Sequence, residues 1–170
     1  MKGKWAQGMA PRSFAWVLKD RLAICERPGG YGPSHRRVRR TEEIVWLKVQ
    51  GFTTVVSTLA APHNLHAYDE ADLPWRHVPF ARLDSPATVL GLVYTQLRAL
   101  LDTGERVVLH HDEVGDRVQG VVTGYLLYAG LVHEPARATA MVERLLQRPM
   151  GPLGRELVAV ATTLEEPRER

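Results

Sequence analysis

The sequence has a single cysteine, Cys25, among its 170 residues. One cysteine cannot form a disulfide within the chain, which favours a reducing compartment, so we expect a cytoplasmic protein. No apolar run approaches the roughly 20 residues that span a bilayer, and the basic N-terminus is not followed by the apolar segment of a signal peptide. The net charge of +3 is too small to indicate nucleic-acid binding. We therefore expect neither a membrane nor a nucleic acid as a partner.

The composition is that of a globular protein. Hydrophobic residues make up 45% of the chain and charged residues 24%, and a chain of this length can bury a substantial core. The sequence contains no internal repeat and no linker long enough to divide it. We expect a flexible N-terminal arm over 1–12, a single domain over 13–164 and a frayed tail over 165–170.

Short apolar strands alternate with amphipathic helices along the chain. The hydrophobic pattern and the turn residues predict strands at 14–18, 22–25, 53–59, 75–79 and 106–110, and helices at 41–51, 64–72, 87–101, 117–129, 135–147 and 153–164. Strands separated by helices predict an α/β fold, with a central, mostly parallel sheet of about four to five strands and helices on both faces. The strand at 106–110 should be central because it is apolar and lies between the two longest helices.

The most informative segment reads His110-His111-Asp112-Glu113-Val114-Gly115-Asp116-Arg117. It is the polar loop between the predicted central strand and the helix that follows. A loop that connects the carboxyl end of a strand to the first turn of a helix is the usual place for an anion site in α/β proteins.

Further short motifs accompany this loop in a fixed order. They are Arg27-Pro28-Gly29, the segment from Gly51 to Ser57, His77-Val78-Pro79, Tyr125-Leu126-Leu127 and Arg148-Pro149. In these motifs, over residues 14–158, the chain resembles the dual-specificity, tyrosine-type protein phosphatases of the cysteine class. Their phosphate loop reads His-Cys-x5-Arg.

The resemblance implies a specific chemistry for the loop. In that family the cysteine attacks phosphorus, an aspartate on a separate loop protonates the leaving group, and a Ser/Thr after the arginine helps to release the thiolate. Backbone N–H groups of the loop and the arginine hold the phosphoryl oxygens. Carried over to this chain, the resemblance assigns anion binding to Val114, Gly115, Asp116 and Arg117, and support of the loop to His110.

Several positions of the family pattern are changed together. The nucleophile position holds His111, the glycine position three residues later holds Val114, and the Ser/Thr position holds Val118. The general-acid position aligns with Arg82, so that Asp84 could replace it only if its loop is shifted. A β-branched valine resists the backbone conformations that a tight loop asks of glycine, and imidazole is bulkier than a thiolate.

Three carboxylates, Asp112, Glu113 and Asp116, are expected to weaken phosphate binding by Coulomb repulsion. These changes predict a pseudophosphatase without a cofactor, which binds or regulates a protein partner. That partner would be a phosphoprotein or an active homologous phosphatase. The alternative is a weakly active phosphatase or phosphoryl-transfer enzyme that uses His111 and Arg117, with Asp84 or Glu113 in acid–base roles.

A metal-binding protein is the third hypothesis. His63, His66 and Glu70 would share one face of a short helix, whereas His110 and His111, as neighbours in a strand, point to opposite faces. Surface histidines at helical spacing are far commoner than metal sites, so we predict no metal.

Two other features have both a structural and a functional interpretation. The cluster of Arg36, Arg37, Arg39 and Arg40 is either a solvated start of a helix or a surface for an acidic partner, a phosphopeptide or RNA. Cys25 should be a buried strand residue rather than a displaced nucleophile, because position 31 is a tyrosine and not an arginine.

Overall fold

The computed structural model describes residues 7–30, 37–82 and 84–164. Within these residues it contains five strands: β1 (Ala15–Leu18), β2 (Leu22–Glu26), β3 (Thr54–Ser57), β4 (Trp75–His77) and β5 (Val107–His111). The helices are α1 (Arg37–Val49), α2 (His66–Glu70), α3 (Pro86–Asp102), α4 (Asp116–Tyr128), α5 (Pro135–Leu146) and α6 (Pro152–Ala161). The predicted elements are therefore present, with ends that differ by a few residues.

The strands form one mixed sheet in the order β1-β2-β5-β3-β4. β1 and β2 form an antiparallel hairpin, and the other neighbouring strands are parallel. β5 is central, as its apolar sequence predicted, and Val107, Val108 and Leu109 have no exposed surface. The prediction of an α/β fold with a mostly parallel sheet of four to five strands is confirmed.

The contacts divide the chain into two compact units. Unit 1 comprises the chain up to Ala81 together with Ala99–Val114, and unit 2 comprises Arg82–Arg98 and the chain from Gly115 onward. The single domain expected over 13–164 stays a prediction.

Unit 1 contains the sheet, α1 and α2. Alternate strand residues point to opposite faces of a sheet. The residues on one face share an apolar core with α1 and α2; they are Ala23, Cys25, Val55 and Val108. On the other face Ile24, Val56 and Leu109 have no exposed surface. Both faces of the sheet are thus shielded from solvent, as near-continuous apolar strands require.

Unit 2 is helical, and α4 and α6 approach each other closely. A Cβ atom on Gly120 would lie 2.8 Å from the Cα atom of Gly154. The hydroxyl of Tyr94 donates a hydrogen bond of 2.8 Å to the carbonyl of Val121 on α4. Position 120 therefore has room only for a glycine in this arrangement.

The predicted start of the first helix at Thr41 is wrong. α1 begins at Arg37 and has no acidic residue in its first turn. Thr41 donates its hydroxyl hydrogen to the carbonyl of Arg37, as an interior helical residue does. Arg39 pairs with Glu43 one turn later on the same helix, and this i,i+4 pair supports the earlier start.

Part of the predicted N-terminal arm is bound to the rest of unit 1. The backbone N–H of Met9 donates to the carbonyl of Glu42 at 3.1 Å, and the carbonyl of Arg12 accepts from Glu26 at 3.0 Å. These hydrogen bonds connect 7–12 to other parts of unit 1, and the flexible arm expected over 1–12 stays a prediction. Residues 1–6, Arg36 and the tail at 165–170 lie outside the described residues. In the part of the chain that is described, no helix is long and apolar enough to cross a bilayer.

Candidate functional site

His110 lies in β5 and is buried, with 2% of its surface exposed. Its Nδ1 atom is 2.8 Å from the hydroxyl of Tyr68 on α2. Burial, followed by the nearby charges of His111, Arg27 and His77, lowers the pKa of His110 from 6.5 to about 3. The ring is therefore neutral at ordinary pH. A buried neutral ring of this kind carries no charge for catalysis, and its role in supporting the loop stays a prediction.

The last residue of β5, His111, is fixed by Thr58. The Thr58 hydroxyl lies 3.0 Å from His111 Nδ1 and also donates a hydrogen bond of 3.0 Å to the carbonyl of His110. A hydroxyl has one hydrogen, so both bonds form together only if His111 Nδ1 carries a proton and donates it. The position that the resemblance assigns to the nucleophile thus holds an imidazole in a defined orientation.

The loop carboxylate of Asp112 has a cationic partner. Its Oδ1 atom is 3.1 Å from Nε of Arg27, in an orientation that makes an ion pair rather than a hydrogen bond. The backbone N–H of Arg27 also donates to the carbonyl of His111 at 2.9 Å. The Arg27-Pro28-Gly29 motif therefore belongs to the site and reduces the repulsion that Asp112 was expected to cause.

A buried carboxylate holds the turn that contains Arg27. Glu43 of α1 is 1% exposed and accepts a hydrogen bond of 2.9 Å from the backbone N–H of Gly29. Gly29 has a φ of +89°, a conformation that favours glycine. Glu43 also pairs with Arg39, so its charge is balanced in the interior. Sequence reasoning missed Glu43, which looked like part of an exposed helix start.

The backbone from Val114 to Asp116 makes the transition into α4. Gly115 is the N-cap residue, with extended φ and ψ of −118° and −154° and no capping side chain. Among the described residues, the positions with positive φ include neither Val114 nor Gly115. The expectation that valine strains this loop is therefore wrong, because the loop uses ordinary backbone conformations here.

Asp116 begins α4 and binds the turn before α6. Its Oδ1 atom accepts a hydrogen bond of 2.7 Å from the backbone N–H of Gly151. This hydrogen bond fixes the carboxylate of Asp116 against the backbone of Gly151. The anion-binding role predicted for residue 116 would therefore fall to its backbone N–H. Glu113 is the exposed one of the three loop carboxylates.

Arg117 occupies the first turn of α4 and is half-buried. The next residue, Val118, is buried, with 1% of its surface exposed. The position that the resemblance assigns to a Ser/Thr therefore holds a buried apolar side chain, which has no hydroxyl.

A second arginine lies beside this turn. A Cβ atom on Gly115 would be 3.6 Å from Nη1 of Arg148, so the guanidinium is within van der Waals distance of Gly115. The carbonyl of Arg148 accepts a hydrogen bond of 2.9 Å from the side chain of Gln119. The Arg148-Pro149 motif was noted in the sequence, but no role followed from it, because only the fold brings residues 115 and 148 together.

Asp84 precedes α3 by two residues and its side chain is exposed. Its role as general acid stays a prediction. The described residues hold no group of three metal-binding side chains. The two candidates His66 and Glu70 line a groove between α1 and α2 instead.

Comparison with known proteins finds the same fold in solved structures. No family model and no curated protein sequence matches the chain. A solved structure of the kinase-associated phosphatase, with its catalytic cysteine replaced by serine, is 18% identical, covers 92% of this chain and 99% of that chain, and gives a TM-score of 0.74. A mouse putative dual-specificity phosphatase complexed with zinc tungstate is 23% identical, with coverage of 94% and 96% and a TM-score of 0.67.

The structure of Tk-PTP in its active form is 17% identical, covers 88% of this chain and 96% of that chain, and gives a TM-score of 0.69. Identities in this range establish the fold. The chain has the fold of the dual-specificity and tyrosine phosphatases, in agreement with the resemblance of its motifs.

Proposed function

We propose that this chain is a catalytically inactive phosphatase-fold protein that binds a phosphorylated protein partner through the first turn of α4. The observation that carries the proposal is the absence of a usable thiolate. The nucleophile position holds His111, and the single cysteine of the sequence, Cys25, lies in the core of unit 1.

Cys25 does not replace the missing nucleophile. It is 1% exposed in β2, and burial, with smaller contributions from Glu43 and Glu26, raises the pKa of its thiol far above the usual value. A thiol in this environment stays protonated and out of reach of a substrate, so it is not nucleophilic.

Phosphate binding is supported by groups that belong to unit 2. The first turn of α4 has no capping side chain, and its backbone N–H groups and dipole favour an anion. Arg117 lies in that turn and the guanidinium of Arg148 lies beside Gly115. The carboxylate of Asp116 keeps its charge but is held by the backbone N–H of Gly151, so the two arginines are the side chains that would bind the phosphate.

The test combines binding with turnover. Tungstate, the oxyanion in the mouse phosphatase structure, and a phosphotyrosyl peptide should both raise the melting temperature of the wild-type protein. Arg117→Ala should abolish this effect, whereas Arg155→Ala, an exposed arginine of α6, should not. Neither phosphotyrosine nor para-nitrophenyl phosphate should be hydrolysed. Turnover that is lost in Arg117→Ala would overturn the proposal.

One observation favours a second function, phosphoryl transfer at His111. If Nδ1 donates to Thr58, a neutral ring carries its lone pair on Nε2, the atom that would attack phosphorus. An Nε2–P bond would form as the bond to the leaving oxygen breaks, and Asp84 or Glu113 would protonate that oxygen. Acid-labile phosphate on His111, detected by mass spectrometry and absent from His111→Asn, would favour this alternative.

A further inference from the structure

Helices α1 and α2 border a cavity of about 440 Å³ within unit 1. Its floor is apolar and consists of Ile44 and Val45 on α1, Ala67 on α2 and Ala71, the residue that follows α2. The volume lies in the range of about 300–1,000 Å³ that is typical of ligand sites. We call this cavity the α1–α2 groove.

The walls of the α1–α2 groove are charged. Arg37 and Arg40, one turn apart on α1, form one wall, and His66 and Glu70 of α2 form the other. Among the described residues, neither Arg37 nor Arg40 has a carboxylate partner, whereas the neighbouring Arg39 is held by Glu43. The two guanidiniums of the groove are thus available to a ligand.

The position of these arginines is unfavourable for the folded chain itself. They lie in the first turn of α1, which contains no acidic residue, at the positive end of the helix dipole. Cations destabilise that end of a helix and anions stabilise it. An anionic ligand in the groove would satisfy both the side chains and the helix terminus.

We propose that the α1–α2 groove binds an acidic segment of a protein partner, with an apolar side chain on the floor and carboxylates at Arg37 and Arg40. A polypeptide fits better than RNA, because none of the described residues that line the groove is aromatic, so bases have no ring to stack on, whereas the apolar floor suits an apolar side chain. Docking of this kind needs no phosphate, so it goes beyond the proposed function and does not depend on it.

The α1–α2 groove shares two of its residues with a second, much smaller cavity. Arg40 and Ile44 line this cavity of about 10 Å³ together with Arg27 and His110. A partner segment in the groove would therefore lie close to residues that contact the loop. In this proposal the arginines of the basic cluster have different roles. Arg37 and Arg40 bind the partner, and Arg39 stabilises the fold through its ion pair with Glu43.

The experiment uses the full chain and a fluorescein-labelled peptide in which leucines are placed among glutamates. Fluorescence anisotropy measures the dissociation constant of the peptide–protein complex. A second peptide, with glutamine in place of every glutamate, is the uncharged control. The double variant Arg37→Glu/Arg40→Glu should weaken binding by about tenfold or more. The control Arg144→Glu/Arg155→Glu makes the same change in charge at exposed sites of α5 and α6, and it should bind within about twofold of the wild type.

A further variant tests the floor of the groove. Ala67→Leu, at a half-buried helical position, should fill the groove and weaken binding to a similar extent. Arg117→Ala should leave binding unchanged, which separates this inference from phosphate recognition. Glutamates in the first turn of α1 favour the helix, so the melting temperature of Arg37→Glu/Arg40→Glu should not fall, and lost binding will not reflect unfolding.

Four results would overturn the proposal. The neutral peptide could bind as well as the acidic one, the two double variants could weaken binding equally, or Ala67→Leu could bind normally. Polyuridylate or phosphatidylserine vesicles could also bind more tightly than the peptide, in a manner that requires Arg37 and Arg40. The last result would assign the groove to a nucleic acid or a membrane surface.

Discussion

His110 and His111 are neighbours in β5, and their rings have opposite surroundings. The first is buried and hydrogen-bonded to Tyr68, and the second is bound to Thr58 at the end of the strand. The alternation of side chains along a strand explains the difference. For the same reason we expect that the two histidines do not bind one metal ion.

The first prediction concerns the effect of pH on stability through His110. Its pKa is about 3 in the folded chain, against 6.5 without burial. Between these values the unfolded chain binds a proton that the folded chain does not, so acid favours unfolding. The contribution of His110 to the free energy of unfolding is complete above pH 6.5. It declines by about 1.4 kcal/mol for each pH unit as the pH falls toward 3. Urea unfolding at a series of pH values measures it.

Two histidine variants provide the comparison. His110→Gln keeps an acceptor for Tyr68 and removes the titrating ring, so the free energy of unfolding should depend less on pH. His63→Gln alters an exposed histidine and should leave the dependence as it is in the wild type. Equal pH dependence in all three proteins would show that His110 is not the group responsible.

At the scale of elements, the closest packing is between α4 and α6. A side chain at Gly120 would meet the backbone of Gly154 and the Cβ atom of Leu157, at 2.8 and 2.9 Å. Backbone cannot move aside as the end of a flexible side chain can. This contact, together with the bond from Gly151 to Asp116, fixes the start of α4 and with it the position of Arg117.

The second prediction compares two glycine-to-alanine substitutions in helices. Gly120→Ala should lower the free energy of unfolding by about 2–3 kcal/mol, because the added methyl group has no room. Gly91→Ala, in α3, should raise it by about 0.5–1 kcal/mol, since no atom lies within 4 Å of the new Cβ and alanine favours a helix. Chemical denaturation gives both values. Equal effects would mean that α4 and α6 do not pack closely.

The elements themselves could largely be predicted from the sequence. Apolar alternation and turn residues located the strands, and β5 was expected to be central because it is almost wholly apolar. The start of α1 could not be predicted, because arginines in a first turn oppose the dipole and, among the described residues, only Arg39 of that turn pairs with a carboxylate, that of the buried Glu43. The bonds of residues 7–12 to unit 1 likewise depend on partners distant in sequence.

At the scale of the whole molecule, the motif predicted which segment forms the candidate site but not how its charges are balanced. The order of motifs pointed to His110, His111 and Arg117. The ion pair Arg27–Asp112 and the contact between Gly115 and Arg148 join positions far apart in the chain. No local sequence pattern predicts either of them. The sequence therefore suggested an excess of negative charge in the loop, whereas the fold supplies partners for two of its carboxylates.

The fold and the loop lead to one central claim, that phosphate is bound and not turned over. Phosphorus NMR of a phosphotyrosyl peptide tests both parts in one measurement. With wild-type protein the phosphate resonance should shift or broaden, it should remain unperturbed with Arg117→Ala, and no signal of inorganic phosphate should grow. A growing signal of inorganic phosphate with the wild type, absent with Arg117→Ala, would contradict the account, and so would a resonance that wild-type protein leaves unchanged.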